Sequence, residues 1–286
     1  MSLRSRLKLP KEHGAWAMLY VPFVVGLAVA GRFSWAIVCL FISISAFFIS
    51  RESLLLWWRA ERRGRKDNDS FYSMTAYLAL AAIAGLPLIF HWRLYWLVPM
   101  AIFGLALLMV NGRQAVQMED RTIAGELTAL AGLTLTAPAG YYAATGWMNR
   151  VALLLWAFNF LYFASSVFYI KHRIYSLNPK RVEDQKKICR ISLAFHSTLL
   201  LGLAVLVVTG RLNLMVLAAF MPALFRSFLR IIKPRQPDQP DKGRHIRDYL
   251  FAAFPSVYHT EFYYCLNPGQ FSVIIHRLWS RRKLRH

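Results

Sequence analysis

Few residues in this 286-residue chain combine a reactive side chain with an apolar setting, and most of them fall beside the ends of long apolar runs. Glu12 and His13 open the first run, in Pro10-Lys11-Glu12-His13-Gly14-Ala15-Trp16. Arg51-Glu52 closes the second, and Asn111-Gly112-Arg113 the fourth. Arg121 precedes the fifth, and Glu126 lies about one turn inside it. Lys171-His172-Arg173 closes the sixth, while His196 and Arg226 lie within the seventh and eighth. Charge beside or inside an apolar span is costly, so each is a functional candidate by default. Arg51, Arg121, Lys171 and Arg173, with Asn111, suit the binding of an anionic headgroup, because cationic donors hold phosphate oxygens directly. Glu12, His13 and Glu126 are the groups able to act as acid, base or orienting residue. For any one Lys or Arg the ordinary alternative is an interfacial charge reaching the headgroups. For Glu126 it is an ion pair with a cation of another helix.

The elements that position these groups are read from hydropathy. Eight apolar runs, at about 14–31, 34–58, 71–90, 94–111, 122–146, 150–170, 191–210 and 212–230, are each long enough for a helix to cross a ~30 Å hydrocarbon core. Lys and Arg cluster in alternate connections, whereas the others carry Arg32, Arg93, Arg150 and Arg211, one each. That asymmetry predicts a polytopic all-α bundle in a bacterial inner membrane, N-terminus in the cytoplasm. The outer turns are short, so spans pair as hairpins. Two long inner connections, about 59–70 and 171–190, give spans 1–4 and 5–8 the same plan. The first run is read as a retained helix rather than a cleaved signal peptide. Pro138 and Pro222 should kink or open spans five and eight.

The formal net charge of +21 would suit nucleic acid. Basic inner loops facing anionic lipid account for it instead, so the expected partner is membrane lipid at the cytoplasmic face and not nucleic acid. Cys39, Cys189 and Cys265 are odd in number, widely spaced and form no CxxC, so a disulfide framework has no support, and neither they nor the histidines give a metal motif. The sequence points to no cofactor and to no oligomeric state. Residues 1–233 are read as the membrane domain and 234–286 as a basic, proline-led tail.

Lys8-Leu9-Pro10-Lys11-Glu12-His13-Gly14-Ala15-Trp16-Ala17-Met18 resembles the opening of the YwiC-like family of bacterial membrane proteins. Glu119 to Leu127 and Ser165 to Lys171 are similar to that family too, and the resemblance covers about 8–234. A more distant similarity is to UbiA-type prenyltransferases, nine-span bundles with active-site loops after spans two and six. Arg121-Thr122 looks like the segment that opens span five there. That resemblance implies a UbiA-like topology. It does not carry over the magnesium chemistry, because Arg51-Glu52 and Lys171-His172-Arg173 stand where those enzymes place aspartate-rich motifs, and Mg²⁺ takes oxygen ligands. Two further readings stay open. A transporter would need broken helices and mid-membrane polar groups such as Asn159 and His196. A non-catalytic assembly partner would need only interfaces.

Overall fold

The computed structural model describes residues 13–117, 122–176 and 182–232. The predicted tail, Glu12 and Arg121 lie outside them, as does the side chain of His13. The described residues form helices α1 (His13–Ala30), α2 (Trp35–Arg62), α3 (Asn68–Phe90), α4 (Leu97–Val116), α5 (Ile123–Leu133), α6 (Thr136–Thr145), α7 (Arg150–Ser176), α8 (Val182–Val208) and α9 (Leu214–Ile232), without a strand among them. The fold is all-α, as the apolar runs predict. Five helices, α2, α3, α4, α7 and α8, are long and apolar enough to cross a membrane. Large apolar side chains such as Ile83, Phe90, Ile102 and Leu201 are more than 60% exposed on them. In water such a surface would be a liability, and in hydrocarbon it needs no cover.

Side-chain caps fix where several helices begin. Ser34, Asp67 and Thr122 accept from the backbone N–H of Ala36, Ser70 and Gly125, relieving donors that a helix start leaves open. Gly146 ends α6 at φ 74°, a left-handed conformation that a Cβ disfavours.

The described helices group into two compact units that divide between Val167 and Phe168, inside α7. In the first unit α1 packs on α6, α2 on α3 and α4 on α5. Its core joins Phe23, Ile37, Leu40, Leu88, Leu94, Leu97 and Tyr142. Phe23 and Gly140 meet at the α1–α6 crossing, where a Cβ on Gly140 would stand 3.1 Å from the Phe23 carbonyl oxygen. In the second unit α8 packs on α9, and Phe195 of α8 meets Phe168 at 4.4 Å between ring centroids.

One predicted span is not a single helix. The run 122–146 divides into α5 and α6 at Thr134-Leu135. Pro138 sits in the first turn of α6, where its missing N–H costs nothing, so the expected local opening occurs on its N-terminal side. Polar side chains satisfy the backbone around the break. Thr134 donates to the carbonyl oxygen of Leu130 at 2.9 Å, Thr136 to that of Leu19 on α1 at 2.7 Å, and Trp156 Nε1 to that of Ala131 at 3.1 Å. Trp156→Phe keeps the ring packing against Phe103 but removes the last donor. It should lower stability by about 1 kcal/mol, read as an earlier thermal transition of the detergent-solubilised protein. The other kink expected from proline, in the eighth run, does not divide α9, which is continuous through Pro222.

Candidate functional site

The end of α2 and the end of α4 are tied side by side. Arg51 Nη2 donates to Asn111 Oδ1 at 2.8 Å, and two turns further along α2 Arg59 Nη2 donates to the carbonyl oxygen of Ala115 at 3.2 Å. Between them Leu55 and Trp58 lie against Gly112, where a Cβ would approach the Trp58 ring to 3.1 Å. Small residues at 112 and 115 let the two helices close, and Ala115 is fully buried.

Asn111 extends this pair to a third helix. Its Nδ2 donates to the carbonyl oxygen of Gly125 at 3.1 Å, and its side chain is only 3% exposed. One amide therefore spends its oxygen on α2 and its nitrogen on the first turn of α5. Thr122 caps that turn, and Glu126 follows Gly125 directly, half-buried and engaged by neighbours of its own. An acid in the first turn is the placement that a helix dipole favours.

The electrostatic consequence centres on Arg51. Its hydrogen-bond partner is a neutral amide, which orients the guanidinium without cancelling its charge. No carboxylate pairs with it among the described residues. A guanidinium has five N–H donors in a planar fork, and one is used here. A half-buried cation with its fork partly open can accept a phosphate or carboxylate with two parallel bonds.

Of the residues singled out by sequence, the first unit thus brings together Arg51 and Asn111 directly and sets Glu126 beside the residue that completes their relay. Lys171 and Arg173 belong to the second unit. Lys171 is 6% and His172 8% exposed, so neither reaches freely toward solvent in the way an ordinary interfacial lysine would, and both have partners, as does Arg173. Also on α7, Tyr169 lies beneath the guanidinium of Arg226, 4.3 Å from ring centre to Cζ. His196, wholly buried, donates from Nδ1 to the Ser192 carbonyl oxygen at 2.6 Å. That bond lies within α8, and the imidazole ring meets Phe228 of α9 edge-on at 6.3 Å between centroids.

Three contributors were not legible as site residues in the sequence: Arg59, Trp156 and Thr136. Arg59 follows Arg51 by two turns and Ala115 follows Asn111 by one, so a shared helical face was the available signal. Trp156 and Thr136 act on backbone carbonyls, for which residue type alone gives no signal.

The family profile of the YwiC-like proteins matches residues 9–141. That stretch is similar to the family over a little under half of the chain. It runs from the start of α1 into α6, so it contains Arg51, Asn111 and the first turn of α5. Over 190 residues the chain is 25% identical to the uncharacterized protein YwiC of Bacillus subtilis strain 168, covering 66% of this chain and 73% of that protein. No solved structure matches the chain. The YwiC-like stretch and its apolar helices make this a helical membrane protein, and the three-helix junction is the part of that stretch where charge and burial meet.

Proposed function

We propose that this protein is a multi-pass protein of the bacterial inner membrane that holds the anionic headgroup of a membrane lipid, an isoprenoid phosphate or a phospholipid, at the cytoplasmic ends of α2, α4 and α5. The observation that carries the reading is the state of Arg51: anchored at 2.8 Å by a neutral amide, with its charge uncancelled among the described residues. Asn111 fixes the angle of the guanidinium, and Gly125 fixes Asn111. Glu126 is placed to orient a headgroup or to exchange a proton with it. Arg121, one residue before the Thr122 cap, is assigned as a second cationic contact, and Glu12 and His13 as further polar groups at the start of α1. Lys171 and Arg173, at the end of α7 in the second unit, are assigned by themselves as cations suited to an anionic headgroup. The distant resemblance to UbiA-type prenyltransferases supports a lipid substrate class. Basic residues in alternate connections support the orientation.

Native mass spectrometry of the full chain in mild detergent tests this, comparing wild type, Arg51→Ala and Arg32→Ala. A defined lipid should co-purify with wild type and Arg32→Ala and fall at least about tenfold in Arg51→Ala, the loss expected for a charge-assisted pair. Equal retention in all three would overturn the reading.

The divided α5–α6 segment favours a transporter as second reading, since broken helices line transport paths. The carbonyls at this break are already taken by Thr134, Thr136 and Trp156, and Asn159 Nδ2 donates to the Leu155 carbonyl oxygen of its own helix. These groups are spent on the fold, which weighs against an ion path there. Uptake or efflux that depends on Asn159 would favour transport over headgroup binding.

A further inference from the structure

We propose that the connection between α2 and α3 forms a second, independent lipid site: a groove that docks the phosphate of an anionic phospholipid from the surrounding membrane. It shares only Arg59 with the Arg51 junction and uses neither Arg51, Asn111 nor Glu126. The inference starts from the length of α2. Its 28 residues extend about 42 Å, some 12 Å more than a ~30 Å hydrocarbon core. Adjacent tryptophans, Trp57 and Trp58, mark where such a helix leaves the core. The next turn therefore stands at headgroup level.

A groove of ≈ 710 Å³ opens at that turn, within the size range of small-molecule sites. Arg59, Arg63, Arg65 and Lys66 line it, with Leu56 on its α2 side. Arg59 is held by the Ala115 carbonyl and gives the groove a fixed wall. Arg63, Arg65 and Lys66 are exposed. The opposing charge is smaller. Asp67 and Asp69 also line the groove, but Asp67 directs one oxygen to the Ser70 N–H at 3.0 Å and the other to its hydroxyl at 2.7 Å, so it is committed to capping α3. Asp69 lies in the first turn of α3, which favours an acid by its dipole. Four cations against two carboxylates leave the lining net positive, complementary to an anion.

The occupant is an amphiphile because the cationic groove adjoins an apolar surface. Trp57 packs against Phe71 at 5.8 Å between centroids, while Phe71 is 46% and Tyr72 51% exposed. These rings offer an acyl chain a surface next to the cations that hold its phosphate. A free phosphate would use the cations alone.

The test uses the full chain in mild detergent, titrated with phosphatidylglycerol or phosphatidylcholine and followed by native mass spectrometry. Wild type should retain phosphatidylglycerol at least about tenfold better than phosphatidylcholine. On an Arg51→Ala background, where the junction no longer holds a headgroup, the triple variant Arg63→Gln/Arg65→Gln/Lys66→Gln should lose that preference, because each basic residue near a headgroup contributes separately. All three side chains are exposed, and an unchanged thermal transition checks the fold. Arg51→Ala should keep the preference, which separates this site from the junction. Phe71→Ser should weaken lipid retention while leaving the groove charge intact. Equal retention of the two lipids, or a preference that survives the triple variant, would leave the basic turn as an orientation signal only. Displacement by millimolar inorganic phosphate, with no effect of Phe71→Ser, would assign the groove to a free anion and overturn the lipid.

Discussion

Gly26→Ala should be among the most damaging single-methyl additions in the chain. A Cβ at this position would run into the carbonyl oxygen of Ala137, and it would stand 3.2 Å from the Ala137 Cα. Both obstacles are backbone of α6, buried on all sides from Thr136 to Ala143, so they cannot turn aside as a flexible side chain would. Relief requires α1 and α6 to separate. Separation loosens Phe23 and Tyr142 in the core and stretches the bond from Thr136 to the Leu19 carbonyl. Overpacking of this kind costs about 1–3 kcal/mol, and a backbone obstacle puts Gly26→Ala at about 3 kcal/mol or more. Gly140→Ala should cost less, because part of what its Cβ meets is the Phe23 ring. Gly202→Ala in α8 meets nothing within 4 Å and should be neutral or slightly stabilising. Thermal unfolding of the three variants in one detergent gives the order. A Gly26→Ala protein that melts with wild type would mean that α1 and α6 do not cross as closely as described.

The second large effect is expected at Asn111. Asn111→Ala removes both arms of the relay, freeing Arg51 and withdrawing a donor from the Gly125 carbonyl. The loss should be about 1–3 kcal/mol of stability, because the groups left behind are partly or wholly buried. Arg51→Met removes the cation but keeps its stem. In a double-mutant cycle the two changes should couple by about 1–2 kcal/mol, near the upper end for polar pairs between membrane helices. Additive effects would mean that the two residues stabilise their helices separately. The same variants carry a second readout. Asn111→Ala leaves the Arg51 charge in place, so a lipid held by Arg51 should be weakened but not lost, whereas Arg51→Met should lose it.

The apolar runs revealed the helices well, because burial in hydrocarbon depends on the same quantity that hydropathy measures. Each of the eight runs has a helix, and α2, α3, α4, α7 and α8 extend past theirs by about a turn or more, because cations, tryptophan and caps can continue a helix into the interface. The break in the fifth run was only partly legible. Pro138 announced an opening, but its position depends on Thr134, Thr136 and Trp156 bonding to carbonyls, which no hydropathy pattern records. Arg51 and Asn111 were each visible as candidates, yet their pairing across 60 residues required the fold. Lys171 was visible as a candidate for holding an anion, but its burial, at 6% exposed, depends on neighbours that composition cannot show.

The bond between Thr136 and Leu19 spans 117 residues, and this separation bears on how the protein is made. At roughly 5–20 residues per second, α1 leaves the ribosome roughly 6–23 s before the segment it must clasp. Phe23 and Gly26 wait through the synthesis of α2, α3 and α4 without the partner that covers them. The tightest crossing in the first unit is thus among its late closures, and a slow or interrupted ribosome would lengthen the interval in which α1 can pair with something else.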